Sequence, residues 1–330
     1  MTITRLEMIN VSKWRDGLRP GDDVVLALPD RLFAVFDGAT DASGAGLGGT
    51  SPGRFAATRA AAAMTSLLGE GMGTDPERWL RAMNDAIASG LRAIGAAHVR
   101  ASSTAAIALV DDASIQLLVV GDSGIRINGS EVLQLPKDVD VLFTAVRLAI
   151  RRLLARRGLE GDALEETTRR LVFLGLDGAR DVVREVSLLP AEVEAMKAEA
   201  VSACGAVLQP DAIASIPGMF RRGIAGGQAP FANLAGHSLG YSSLDGTVTR
   251  GPHVCHRVLP RAAVRSLEIY TDGYTSCPAG GISVRDWEEN FAADEAEDPA
   301  KIGRFAGVKG STATHLSDDR SVLVVEFGGS

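Results

Sequence analysis

Two short apolar runs open the readable pattern: VVLAL at 24–28 and LFAVF at 32–36, separated by Pro29-Asp30-Arg31. Val- and Phe-rich runs of this length on either side of a turn predict a buried β-hairpin. The second run ends on Asp37-Gly38 and is followed by a glycine-rich loop from Ala42 to Gly53. Ser51-Pro52-Gly53 closes that loop as a helix start, with Ser51 as cap and Pro52 in the first turn. The Ala-rich stretch 54–68 is then a helix that must pack closely on a sheet. Asp75-Pro76 starts a second helix, reaching to about Ala97.

Three further apolar runs follow: STAAIALV (103–110), SIQLLVV (114–120) and GIRING (124–129). Asp111-Asp112 and Gly121-Asp122-Ser123-Gly124 supply turns between them, so the expectation is a three-stranded antiparallel meander. The pattern then changes. Residues 138–205 have helical periodicity, with Leu142, Val146, Ala149, Ile150 and Leu153 on one face. Arg147, Arg151, Arg152 and Arg156 are expected mostly off that face, solvated or paired with the acidic stretch 286–298. Residues 206–236 read as irregular. Strand signals return at VLP (258–260), SLEIYTDG (266–273) and DDRSVLVVEF (318–327). Strands, helices, strands, helices, strands is not the alternation of a doubly wound parallel sheet. It favours an α+β fold of antiparallel sheets flanked by helices.

Composition narrows the function classes. The chain has 330 residues, 46% hydrophobic and 23% charged, which is ordinary globular usage. A net charge of −7 and 5% aromatics disfavour nucleic-acid binding. Three cysteines, Cys204, Cys255 and Cys277, form no Cys-x-x-Cys pair and fit reduced thiols. The start lacks a basic region followed by an apolar run, and no stretch approaches the roughly 20 apolar residues of a membrane helix. The expectation is a cytoplasmic protein that binds neither nucleic acid nor membrane.

Candidate chemistry lies at strand ends. Asp37 follows LFAVF, Asp272 follows SLEIYT, and Asp318 precedes RSVLVVEF. Asp122 is a fourth strand-end aspartate, and Asp22-Asp23 precede the first hairpin strand. Carboxylates gathered from such positions repel one another unless a cation lies between them. An all-oxygen donor set suits Mg²⁺ or Mn²⁺, not zinc. An isolated Asp-Gly is usually a turn, and Asp177-Gly178 and Asp245-Gly246 are read as turns. His253-Val254-Cys255-His256 lacks a second ligand pair at zinc spacing. Gly44–Gly53 lacks the terminal Lys-Ser/Thr of a phosphate-binding loop and is read as a mobile active-site loop.

The order of these segments carries a resemblance. LFAVFDG, then STAAIALV…LLVVGDSGIRI, then LEIYTDG, then STATHLSDDRSVLVVEF resembles the motif set of the PPM family, the metal-dependent type 2C protein serine/threonine phosphatases. It covers roughly residues 15–130 and 235–328. The resemblance implies a four-layer α-β-β-α sandwich of two packed antiparallel sheets. It implies one phosphatase domain over 1–330, with a mostly helical insertion at about 138–232 that compact members lack. It further implies that Asp37 bridges two Mg²⁺ or Mn²⁺ ions, that the Gly38 carbonyl ligates one of them, and that Asp272 and Asp318 hold the other. Asp22 and Asp23 match the acidic pair near the second metal. Asp122 matches an aspartate that, with Asp272, holds a third ion in bacterial members. Asp37, Asp272 and Asp318 then carry catalysis on a phosphorylated protein substrate: a hydroxide bridging the metals attacks phosphorus, without a covalent intermediate.

Three positions depart from the pattern or leave it open. Many members carry a histidine two residues after the bridging aspartate, where this chain has Ala39. His315 lies near Asp318 but reads as a loop histidine. Of Arg15 and Arg19, Arg19 is the candidate for phosphate binding. Two other functions compete. One is a phosphatase-like binding or regulatory module with weak or lost chemistry. The other is a haloacid-dehalogenase-type phosphatase with Asp37 as nucleophile, but that class needs a second aspartate where Ala39 stands.

Overall fold

The computed structural model describes residues 3–39, 46–71, 73, 75–250 and 252–328. Most of the glycine-rich loop's first half, 40–45, lies outside the described residues. Contacts divide the chain into two compact units. The first comprises Met1–Pro136, Ser242–Glu295 and Asp318–Ser330; the second comprises Lys137–Tyr241 and Ala296–Ser317.

Among the described residues the first unit contains ten strands: β1 (Ile3–Val11), β2 (Val24–Leu28), β3 (Leu32–Gly38), β4 (Ser103–Val110), β5 (Ser114–Val120), β6 (Gly124–Ile127), β7 (Glu131–Gln134), β8 (Val254–Pro260), β9 (Ser266–Tyr270) and β10 (Arg320–Phe327). They form two antiparallel five-stranded sheets, ordered β1-β10-β9-β6-β7 and β2-β3-β4-β5-β8. Period-two alternation assigns each face of β3. Leu32, Ala34 and Phe36 join the core under α1 (Pro52–Gly69) and α2 (Pro76–Ala93). Phe33 and Val35 join Ile125, Ile269, Leu323 and Val325 between the sheets. Each such side chain, taken fully out of water, contributes roughly 1.5–3 kcal/mol. On the far face of the other sheet, Trp287 from the last helix donates its indole N–H to the buried Glu268 at 2.7 Å. The layers are therefore helix, sheet, sheet, helix, as the resemblance implies.

Helix starts follow local chemistry. The Ser51 side chain accepts from the Arg54 amide at 3.1 Å, with Pro52 in the first turn. Asp75 caps α2 through the Glu77 amide at 3.0 Å. That helix stops at Ala93, four residues short of expectation.

The meander expected over 103–129 is corrected. β4 and β5 pair with each other, but β6 crosses to the other sheet and pairs with β7 and β9. The turn at Gly121–Gly124 carries the chain from one sheet to the other instead of back alongside β5. β1 and β7 were not anticipated. Both are edge strands with mixed exposure, so neither shows a continuous apolar run.

The second unit is helical: α3 (Asp138–Arg156), α4 (Gly161–Gly178), α5 (Arg180–Glu185), α6 (Pro190–Cys204), α7 (Pro210–Ala214) and α8 (Ile216–Gly227). α9 (Val284–Glu297) is the helix that carries Trp287. Residues 206–236 are thus not irregular throughout. Pro210 and Pro217 sit in first turns, where a missing N–H breaks no helical bond. The arginine expectation is also corrected. Arg147 is fully buried and bonds both oxygens of Glu165, at 2.8 and 2.7 Å. Arg152 pairs with Glu199 and Arg157 with Glu192, both from within this unit rather than from 286–298.

Candidate metal centre

Strand register brings the aspartates to one edge of the sandwich. Val24 pairs with Phe36, so the entry to β2 lies beside the exit from β3. Asp37 pairs with Thr104 at the start of β4, and Ala105 pairs with Val120 at the end of β5, just before Asp122. In the other sheet Tyr270 pairs with Val322, which sets Asp272 beside Asp318 and Asp319. Val11 pairs with Arg320, delivering Ser12 and Lys13 to the same edge. A Cβ on Gly273 would collide with the Asp319 carbonyl oxygen, so only glycine permits this approach after Asp272.

Asp23 ties the two sheets together. It is 1% exposed, and its Oδ2 accepts from Thr271 Oγ1 at 2.8 Å and Ser321 Oγ at 2.9 Å. Its Oδ1 has no partner among the described residues. Burial, then the Asp319 charge, push its carboxyl up to about 8. Asp22 accepts a short hydrogen bond from Ser51 Oγ, and its amide donates to Asp319 Oδ2 at 3.0 Å. Burial raises the Asp22 carboxyl as well, while Lys13 and Ser51 oppose the shift.

Asp37, at the end of β3, and Asp272, just past β9, lie close enough for their carboxyls to act directly on each other. Burial drives both carboxyls well above the ordinary range. The charges of Asp23, Asp122 and Asp318 add to this for Asp37, and those of Asp37, Asp122 and Asp318 for Asp272. Around this pair Asp122 is buried and Asp318 partly exposed.

This donor set fits a hard cation. It consists of carboxylate oxygens, it keeps an unpartnered buried oxygen at Asp23, and it holds charge that a divalent ion would neutralise. Among the described residues no three acidic, histidine or cysteine side chains already form a closed coordination group.

Lys13, which the sequence reading did not single out, belongs to the same cluster. Its Nζ lies 3.0 Å from Asp319 Oδ2 and 3.7 Å from both Asp22 Oδ2 and Asp318 Oδ1. Burial works against its charge, but Asp318, Asp319 and Asp22 outweigh it and hold the ammonium above its ordinary range.

The remaining candidates are engaged elsewhere. Arg19 donates from Nε and Nη2 to Asp16 Oδ2 at 3.2 and 2.9 Å, and its guanidinium lies over Trp14. Arg15 Nη2 lies 4.0 Å from Glu295. His315, in the second unit, is buried with Nδ1 2.9 Å from Thr312 Oγ1. His256 contacts Gln116 and Trp79, and His253 contacts the Pro136 carbonyl. Asp245 accepts from the Thr247 amide and hydroxyl, an Asx-type turn as expected. Asp177 stands at the end of α4 and pairs with Arg221.

No family model and no curated relative matches the chain. Solved structures do. The serine/threonine phosphatase Stp1 from Staphylococcus aureus is 11% identical, with a TM-score of 0.46 over 100% of this chain and 98% of that one. The Mycobacterium tuberculosis serine/threonine phosphatase PstP/Ppp is 17% identical, with a TM-score of 0.44 over 98% and 99%. PppA, a key regulatory component of T6SS in Pseudomonas aeruginosa, is 13% identical, with a TM-score of 0.45 over 99% and 98%. At such identity and TM-score the likeness carries no activity, substrate or ligand across to this chain. Among the described residues no helix is long and apolar enough to cross a membrane.

Proposed function

We propose that the chain is a metal-dependent phosphatase of the type 2C class, hydrolysing phosphoserine or phosphothreonine in a protein substrate. One observation carries the reading. Asp37, at the end of β3 in one sheet, and Asp272, just past β9 in the other, lie side by side amid three further aspartates, and burial disfavours charge on both. Protein interiors accept such a cluster when a cation compensates it.

In this reading Asp37, Asp272 and Asp318 are the principal ligands. The Gly38 carbonyl, Asp22, Asp23 and Asp122 complete the sites for two or three Mg²⁺ or Mn²⁺ ions. Two such ions would supply an acidified water and neutralise the oxygens of a phosphomonoester. The chain's own residues do the rest. Thr271 and Ser321 fix Asp23, and Ser51 fixes Asp22, so the ligands are preorganised from behind. Asp37, shared with Asp272 or with metal, is no free nucleophile, which counts against a haloacid-dehalogenase-type reaction. Ala39 offers no proton to the leaving group, so aryl phosphates should turn over faster than alkyl ones. A phosphate bound by Arg19 has to displace Asp16 first. The helical unit is read as an insertion in the phosphatase domain. Three free thiols support a reducing, cytoplasmic setting.

The test is hydrolysis of p-nitrophenyl phosphate and of phosphopeptides with Mn²⁺ or Mg²⁺, by the wild type and by Asp37→Asn. Turnover that needs metal and vanishes in Asp37→Asn supports the reading. No metal-dependent turnover on any phosphoester leaves a phosphatase-like binding module instead.

A further inference from the structure

Lys13 is anchored more firmly than a surface lysine needs to be. It is 9% exposed, and its backbone amide donates to Asp319 Oδ1 at 2.7 Å. Its ammonium donates to the other oxygen of the same carboxylate at 3.0 Å. Asp319 Oδ2 also accepts from the Asp22 amide at 3.0 Å. One carboxylate therefore clamps Lys13 at both ends and positions Asp22 beside it. From that place the ammonium lies 3.7 Å from Asp22 Oδ2 and 3.7 Å from Asp318 Oδ1, two of the oxygens assigned above to metal.

The Asp37–Asp272 pair has a different setting. Its two carboxyls act on each other, and the further charges acting on them are those of Asp23, Asp122 and Asp318. The cluster is thus electrostatically lopsided. One side already holds a compact, strongly hydrating point charge; the other is a pair of carboxyls that a cation would relieve.

We propose that Lys13 is a resident cation of the aspartate cluster: it neutralises Asp22 and Asp319, contacts the Asp318 that both sides share, weakens uptake of a divalent ion beside Asp22, and leaves the Asp37–Asp272 side to bind first. This rests on the metal-dependent reading of the site. A divalent ion reaching for Asp22 meets a positive charge a few ångströms away, in a partly buried place where screening is weak. The chain then takes one ion tightly and a second weakly, and the second site fills only when Mg²⁺ or Mn²⁺ is abundant.

The test is calorimetric titration of metal-stripped protein with Mn²⁺, comparing the wild type with Lys13→Met and Lys13→Arg. The wild type should show a tight and a weak ion. Lys13→Met should tighten the weak ion by about tenfold or more and leave the tight one little changed. Lys13→Arg, which keeps the charge, should follow the wild type. Should Lys13→Met fail to fold, Lys13→Gln replaces it, with the same expectation. Titrations of the neutral variants that superimpose on the wild type, or that show weaker binding, overturn the role of Lys13. When that happens in a protein that still hydrolyses phosphoesters with metal, only this inference falls. When no variant and no wild type takes up the ion, the phosphatase reading falls and takes the inference with it.

Discussion

A Cβ on Gly38 would lie 2.5 Å from the carbonyl carbon of Gly53, and one on Gly53 would lie 2.7 Å from the carbonyl carbon of Gly38. The exit of β3 and the first turn of α1 therefore meet backbone to backbone, with the Asp22 carbonyl oxygen 2.7 Å from the same Gly38 position. Neither backbone can yield without moving Asp37 on one side or the Ser51 cap on the other. Gly38→Ala should cost roughly 1–3 kcal/mol, as overpacking in a close-packed site does, read as a lower urea midpoint. It should also weaken Mn²⁺ uptake, because Asp37 is the adjacent residue. Unchanged stability and uptake would show that the contact is slack.

Asp37→Asn separates structure from chemistry. Replacing one of two half-buried carboxyls crowded by like charges should stabilise the metal-free protein, by roughly 1 kcal/mol or more. The same change removes a proposed ligand, so the rise in melting temperature that Mn²⁺ gives the wild type should be lost. The rate with metal should fall on the order of 10³-fold, the scale of several kcal/mol of transition-state stabilisation. Differential scanning calorimetry with and without Mn²⁺ reads both effects. An Asp37→Asn protein less stable than the wild type in chelator would mean that Asp37 is a structural acceptor, not a strained ligand.

The contrast between what the chain announces and what it hides is physical. β3, β4, β5 and β10 are legible because central strands need apolar side chains in nearly every position, and the sequence shows them as runs; β2, an edge strand half-buried along its length, is legible from its own apolar run and the turn that joins it to β3. Edge strand β1, with Thr4, Arg5 and Glu7 among its apolar residues, is not legible, since half of it faces water. β6 is legible as a strand but its neighbours are not, because pairing is decided by distant segments rather than by its own residues. The site divides the same way. Asp37, Asp272 and Asp318 stand out at the tips of apolar runs. Lys13 and Asp319 are 306 residues apart and lie in no run, so their contact leaves no local trace. Thr271 and Ser321, which fix Asp23, read as ordinary strand residues until the sheets are packed.

Asp23 gives the metal-free protein a pH dependence of defined sign. Its carboxyl is raised to about 8 in the folded chain, against about 4 when unfolded. The unfolded chain therefore releases its proton first, and stability falls as pH rises. The contribution is fully present below about pH 4 and is lost progressively as pH climbs through about 8. Urea midpoints in chelator should drop across that window, and Asp23→Asn should flatten the drop. A midpoint that rises over the same range would mean that the Thr271 and Ser321 hydroxyls hold Asp23 ionised.

The buried pair of the helical unit offers a test independent of metal. Arg147 Nη2 bonds both Glu165 oxygens and the Ala300 carbonyl, and Nη1 bonds the carbonyls of Lys301 and Gly307 at 2.8 and 3.1 Å. Glu165 Oε1 also accepts from the Gly310 amide at 2.8 Å. The pair thus fastens segment 300–310 to α3 and α4. Glu165→Leu strands a fully buried guanidinium and should cost about 3–5 kcal/mol, whereas pairing it with Arg147→Met should recover most of that loss. The recovered double variant should still show faster hydrogen exchange over 300–310, because the carbonyls that Arg147 held are left without donors. Full protection there in the double variant would mean that packing, not Arg147, orders the segment.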